Sequence, residues 1–239
     1  MTYVISDLHG YQFERFLELL EKAGFCDDDT LYILGDVVDR GKDGVKYLLW
    51  LLKQKNVQLI LGNHEKMMLN NPSVFDKFST VFLLSPTREQ RINLGIWKSN
   101  GADPTIKGLM GIDYEQRQAI YEYVSKAPLY LEISVNGKDY ILVHSGLRDF
   151  HPCKELSEYS ETDLLWNRIE EGERYFEDKT VIFGHTPSWA FGEEYEGDIV
   201  ITDTWIDIDA GAGVGFPPVL LRLDDMAQFT FQYKTGDIL

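Results

Sequence analysis

Leu31-Tyr32-Ile33-Leu34-Gly35-Asp36-Val37-Val38-Asp39-Arg40-Gly41 is a short apolar run that stops at a glycine and then presents two acids and an arginine. The run reads as a strand, and the polar stretch as the loop beyond its carboxyl end. The same design stands on both sides of it. Upstream, Tyr3-Val4-Ile5 leads into Ser6-Asp7-Leu8-His9-Gly10; downstream, Val57-Gln58-Leu59-Ile60-Leu61 leads into Gly62-Asn63-His64-Glu65. Between them, Phe13, Phe16, Leu17, Leu20 and Ala23 recur at helical spacing up to Gly24, and Val45, Leu48, Leu49 and Leu52 mark one face of a second helix. Strand–helix–strand–helix–strand predicts parallel strands, and ligands of such sheets bind beyond the carboxyl ends. All three polar clusters lie there.

Outward from this core the pattern changes twice. Residues 66 to 127 are helix-like and more polar, and are broken at Pro72, Pro86 and Pro104, with turn signals at Asn70-Asn71-Pro72 and Asn100-Gly101-Ala102-Asp103-Pro104. They read as a helical insertion or cap over the strand ends. The second half is β-rich: Leu129 to Val135 and Lys138 to Val143 flank Asn136-Gly137, a two-residue hairpin signal. Further strands are expected at Thr180–Phe183, Ile199–Thr202, Trp205–Ile208, Val219–Leu223 and Phe229–Tyr233.

The 239 residues suffice for a full core, and 44% hydrophobic with 26% charged residues is an ordinary globular balance. No stretch reaches the roughly 18 apolar residues of a membrane span, and the N-terminal segment lacks the marks of a signal peptide. Lys and Arg number 23 against 39 Asp and Glu, giving a net charge of −16. That charge opposes membrane binding and tight binding of a nucleic-acid polymer. It also means that a phosphorylated substrate needs local positive charge. Cys26 and Cys153 form no motif and read as buried or incidental thiols, which fits a reducing cytoplasm.

Taken in order, the three clusters followed by His144-Ser145-Gly146 and Gly184-His185-Thr186-Pro187 resemble the phosphoprotein-phosphatase branch of the calcineurin-like metallophosphatases. The matching elements span Ser6 to Pro187. Leu165-Trp166-Asn167-Arg168 and Asp209-Ala210-Gly211 are most similar to the compact bacterial and phage Ser/Thr protein phosphatases. One departure is Ser6, where the family usually has glycine; serine lacks glycine's freedom at positive φ. The resemblance implies an α/β (α+β) fold, a four-layer αββα sandwich of two mixed β-sheets flanked by helices. It also implies one domain over residues 1–239, with the cap at 66–127.

It further implies two divalent metal ions, Mn²⁺ by resemblance, with Fe or Zn compatible with the same ligand types. Asp7 and His9 would hold one, Asn63, His144 and His185 the other, and Asp36 would bridge them. Asp7 and His9 are two apart, so an extended segment can point both the same way. Paired metals sharing a water can generate hydroxide for in-line attack at phosphorus, with a bridging carboxylate offsetting their repulsion. Arg40, Arg168 and Asn63 would bind the substrate phosphate, guanidinium being suited to bidentate contacts. His64 would protonate the leaving group, oriented by Asp39, whose charge favours the imidazolium.

Taken singly, these residues have plainer readings. His9 or His185 could be structural histidines, Asp36 a turn residue and Asn63 a helix cap. Asp39 could pair with Arg40, and Arg168 with Glu170 or Glu171. His151 reads as a surface-loop residue, and Met67 and Met68 as packing. Asp209-Ala210-Gly211-Ala212-Gly213 reads as a close-approach loop near the metals, without Walker spacing.

The expected function is a phosphomonoesterase acting on a phosphorylated protein or a small phosphoester. Asp39 and Glu65 favour the protein-phosphatase branch. The alternative is symmetrical hydrolysis of dinucleoside tetraphosphates or another nucleotide phosphoanhydride, whose leaving group needs a proton less. A non-catalytic phosphate-sensing domain is the rival of another class. Oligomeric state is not legible.

Overall fold

Strand alternation sets the layers. In β1 (Thr2–Ile5), Tyr3 and Ile5 face one apolar cluster while Val4 faces another. β2 (Thr30–Ile33) repeats this, with Leu31 and Ile33 on the first side and Tyr32 on the second. This is the two-residue period of a sheet covered on both faces. β3 (Val57–Leu59) completes the trio, and the strands run parallel with Tyr3 opposite Leu31 and Leu31 opposite Val57. The computed structural model describes residues 1–77, 86–170 and 172–232.

The outer face of this sheet is covered by α1 (Phe13–Ala23) and α2 (Gly44–Leu51), which bury Phe16, Leu19, Tyr47 and Leu48 against it. α1 stops at Gly24, at φ 73°, and the Phe25 N–H reaches back to the Leu20 carbonyl, a left-handed C-cap. Leu17, expected on the apolar face, is exposed, and Leu19 is buried instead. The buried face follows positions 16, 19, 20 and 23, so Leu17 falls on its margin.

The stretch read as a cap forms α3 (Asn63–Leu69), α4 (Arg88–Ser99), α5 (Asp103–Met110) and α6 (Tyr114–Ser125). Trp97, Ala102, Leu109, Ile120 and Val124 are buried in the same apolar cluster as Phe16 and Leu48. The segment thus shares the outer core of the first sheet. Pro104 sits in the first turn of α5, where its missing N–H costs no helical bond.

The second sheet starts with β4 (Tyr130–Val135) and β5 (Lys138–Val143), joined by Asn136 and Gly137 at φ 51° and 79°. Both are left-handed, as a tight hairpin turn of this kind requires. α7 (Glu161–Leu165) precedes β6 (Lys179–Phe183), β7 (Val200–Ile201) and β8 (Trp205–Asp207). β9 (Leu220–Arg222) and β10 (Ala227–Phe229) return to the first sheet. The last strand thus starts before the expected Phe229, and Tyr233 lies outside the described residues. The Asp225 carboxylate explains the shift: it accepts Arg222 Nε–H at 2.8 Å and the Ala227 N–H at 3.2 Å, closing a tight turn early.

Two five-stranded mixed sheets result, in the orders β10-β9-β1-β2-β3 and β4-β5-β6-β8-β7. Val4, Leu34, Ile60, Leu142, Ile182 and Leu221 fill the space between them, while Ile141, Val143, Val181 and Phe183 face outward beneath α7. This is the expected sandwich of two sheets with helices outside.

Candidate active site

The polar clusters meet where the carboxyl ends of β1, β2 and β3 approach those of β5 and β6. Asp7, His9, Asp36, Asn63, His64 and His144 are all at most 3% exposed. They occupy an unusual backbone: Asp7, His9, Asp36, Asp39, Arg40 and His185 all have φ between 43° and 71°. Left-handed conformations are uncommon for residues with a Cβ, and such clustering marks sites where neighbouring contacts over-determine the chain. Ser6 is absent from this set. Its substitution for glycine therefore strains nothing, and its hydroxyl donates instead to the Asp7 carboxylate.

Hydrogen bonds aim the imidazoles. His9 Nδ1 lies 3.1 Å from the Val38 carbonyl, and His144 Nδ1 lies 2.7 Å from that of Leu34. With Nδ1–H donating to a carbonyl, each Nε2 carries a lone pair directed into the cluster. His9 Nε2 is 3.6 Å from Asp36 Oδ2, and His144 Nε2 is 3.5 Å from Asp36 Oδ1. Asn63 Oδ1 lies 2.7 Å from His144 Nε2 and 3.0 Å from His185 Nδ1. The Asn63 side chain is thus turned to the histidines rather than capping α3, whose N-cap is Gly62.

His9, Asp36 and His64 bring ligand atoms within 4.8 Å of one another, as do Asp36, His144 and His185. Asp36 belongs to both groups. Burial holds His9 well below the ordinary imidazole range and His185 at about 2, and pushes Asp36 and Asp209 well above the usual carboxylate range. Neutral imidazoles and crowded carboxylates with acceptor atoms converging are the donor set a divalent cation satisfies. The residues fit the metal that the motifs imply.

Glu65 sets the second tier. Its buried carboxylate accepts the backbone N–H of Gly62 at 3.1 Å, Asp36 at 2.7 Å, Val37 at 2.9 Å and Val38 at 3.4 Å, joining the second and third loops. His64 is held twice. Its backbone N–H donates to Asp36 Oδ1 at 3.0 Å, and its Nδ1 lies 2.6 Å from Asp39 Oδ2.

A cavity of about 170 Å³ opens over these groups, lined also by Arg40, Arg168, Asn100, Trp166, Pro187 and Asp209. Every predicted site residue but Asp39 and His144, which lie buried behind, lines it. Gly213 is the close approach expected of its loop: a Cβ there would meet His9 Cδ2 at 2.6 Å and crowd the Arg40 guanidinium. His151 is exposed, its Nδ1 accepting the Cys153 N–H at 3.1 Å, whereas Met67 and Met68 are core residues. Cys26 and Cys153 are both exposed, which leaves the incidental reading of the two thiols.

Trp97, Thr105, Asn100 and Trp166 were not singled out as site residues from sequence. The Asn100-Gly101 turn signal marked a loop without indicating what it faces. Asp209, read only as part of a loop, brings a further carboxylate to the cavity.

Two mixed sheets carrying a buried histidine–carboxylate–amide cluster at their strand ends define a metal-dependent hydrolase architecture. The sequence model of the calcineurin-like phosphoesterase family matches residues 2–222, and the chain belongs to that family. Among its relatives, the symmetrical bis(5'-nucleosyl)-tetraphosphatase of Buchnera aphidicola is 40% identical over 103 residues, covering 38% of this chain and 36% of that protein's own length. Serine/threonine-protein phosphatase 1 of Salmonella typhimurium is 26% identical over 197 residues, covering 78% of each chain. Among solved structures, a Saccharomyces cerevisiae protein serine/threonine phosphatase matches 98% of this chain and 81% of its own, with a TM-score of 0.58 and 16% identity. At that identity the likeness concerns the fold.

Proposed function

We propose that the protein is a metal-dependent phosphomonoesterase of the Ser/Thr protein phosphatase kind, acting in the cytoplasm on phosphorylated proteins or small phosphoesters. The observation that carries this reading is the buried Asp39–His64 pair beside the cavity lined by Arg40 and Arg168. An alkoxide such as that of serine leaves poorly without a proton, and a carboxylate-held imidazole supplies one. Two exposed free cysteines agree with a reducing compartment.

Asp7 and His9 would hold one divalent ion and Asn63, His144 and His185 the other, with Asp36 shared between them. Mn²⁺ is the proposed ion, Fe or Zn the alternatives. Bound there, the metals supply the activated water and offset charge on the phosphoryl oxygens. The chain's own residues do the rest. Arg40 and Arg168 offer guanidinium groups to the phosphate in an otherwise acidic molecule, and Asn63 lies within reach of it. His64 keeps Nδ1–H on Asp39, leaving Nε2 to carry a proton to the leaving oxygen. Residues 1–239 act as one domain, with helices α4 to α6 forming the cap beside the cavity.

A second reading, symmetrical hydrolysis of a dinucleoside tetraphosphate, is supported by the local identity to the Buchnera protein. The exposed ring of Trp166 at the cavity rim also favours it, as a surface on which a base could stack. Comparing kcat/KM for a phosphoserine peptide and diadenosine tetraphosphate with Mn²⁺ decides between them. Preference for the peptide supports the first reading. A large preference for the dinucleotide replaces it with the second.

A further inference from the structure

We propose that Trp97 and Thr105 are positioning residues that hold the Asp39 carboxylate, and through it the His64 imidazole. The proposal rests on the role given above to His64.

Asp39 and Arg40 are consecutive non-glycine residues at φ 71° and 63°. Two left-handed residues in a row do not persist without support from outside the turn. The support comes from the end of α4 and the start of α5, some sixty residues on. The Asp39 N–H donates to Thr105 Oγ1 at 2.8 Å, and the same hydroxyl donates to Asp39 Oδ1 at 2.7 Å. The Arg40 N–H donates to the Gly101 carbonyl at 2.8 Å. Trp97 Nε1–H donates to Asp39 Oδ2 at 2.8 Å, the oxygen that His64 Nδ1 also contacts.

Thr105 closes a ring on one residue: its hydroxyl joins the backbone and the carboxylate of Asp39, fixing the side-chain rotamer. Trp97 restrains the other carboxylate oxygen. An indole N–H only donates, so it restrains Oδ2 without offering a second acceptor for the His64 Nδ1 proton. Asp39, Trp97 and Thr105 are all at most 1% exposed, so no water can replace a lost donor without rearrangement. The helical segment therefore does more than border the cavity. It dictates where the acid stands.

The test separates positioning from mere packing by leaving group. Thr105→Val keeps the shape and removes the hydroxyl; Trp97→Phe removes the indole donor; Thr105→Ser keeps the hydroxyl. With Mn²⁺ bound, turnover of a phosphoserine peptide falls about 10- to 100-fold in T105V and W97F, since loss of a positioned acid weighs most on a poor leaving group. Turnover of p-nitrophenyl phosphate changes only about 3-fold, because nitrophenolate leaves without a proton. T105S restores the peptide activity to within about 3-fold of wild type.

Equal losses on both substrates, or a T105S variant as impaired as T105V, overturn the proposal. A proton spectrum gives a readout that needs no turnover. The downfield imidazole Nδ1–H signal, identified by its absence from His64→Asn, persists in T105S and is lost or shifted upfield in T105V and W97F. An unchanged signal in both variants refutes positioning. A signal that follows this pattern in a protein inactive on both substrates upholds positioning and removes the phosphatase reading instead.

Discussion

The Glu65 carboxylate accepts the backbone N–H of Asp36 at 2.7 Å, so a side chain in the first turn of α3 fixes the residue on which both histidine groups converge. The same carboxylate takes the N–H groups of Gly62, Val37 and Val38. Glu65→Gln replaces one acceptor oxygen with an NH₂ that faces backbone donors. The expected cost is about 3 kcal/mol, from buried N–H groups left without a partner and loss of a charged acceptor. Metal affinity is expected to fall about 10- to 100-fold, as when the support of a ligand is disturbed. Urea unfolding with and without Mn²⁺ measures both.

Removing metal should lower stability, because the acceptor atoms of Asp36, Asn63, His144 and His185 converge on one another and repel once a bound cation is withdrawn. A ligand at 100 times its Kd stabilises the native state by about 2.7 kcal/mol. Chelation with EDTA is therefore expected to lower Tm by several degrees, and Mn²⁺ to restore it. A Tm indifferent to chelation and to added Mn²⁺, Zn²⁺ and Fe²⁺ contradicts the metal assignment.

How much of this was legible in the sequence follows from the range over which each signal acts. The parallel β1–β3 unit, the Gly24 stop and the Asn136-Gly137 hairpin are local patterns, and each appears where its residues predict. The gathering of histidines and carboxylates at the strand ends was legible because each sits next to its own strand. Leu17 was misplaced because a helix periodicity read from sequence leaves the boundary of the buried arc open by about one residue. The start of β10 was misplaced because the Arg222–Asp225 contact, not strand propensity, closes the preceding turn. Trp97 and Thr105 were invisible for another reason. Their partner, Asp39, is 58 and 66 residues away in the chain, and no pattern within either segment encodes that meeting.

Acid should weaken the metal-free protein through His185. Its folded value, held at about 2 by burial and by neighbouring positive charge, lies below the unfolded value of about 6.5. Between those values the unfolded chain binds more protons, so stability rises with pH and is lost as pH falls below about 6.5. The raised carboxyls of Asp36 and Asp209 act oppositely, losing stability as pH rises from the unfolded carboxylate range through their folded values. The His185 contribution is isolated by comparison with His185→Asn in EDTA. Relative to that variant, wild type should lose about 2 kcal/mol between pH 7 and pH 5. A difference that stays constant across that window contradicts a neutral, half-buried His185.

Gly213 tests whether close approach of the 209–213 loop is needed for binding. Its φ is not in the left-handed region, so alanine suits the backbone, but the added methyl would lie 2.6 Å from His9 Cδ2. Moving His9 aside would strain its Val38 contact at 3.1 Å, which aims Nε2 at the cluster. Gly213→Ala should therefore weaken metal binding about 10-fold and raise KM for phosphate esters. Its metal-free stability should fall by about 1–3 kcal/mol, the usual cost of forcing a methyl into a filled site. Gly95, exposed in the interior of α4 with open space around it, provides the control. Gly95→Ala should stabilise the protein by about 0.5–1 kcal/mol and leave metal affinity untouched. Equal metal affinity in the two variants would mean that His9 accommodates the methyl without moving its ligand atom.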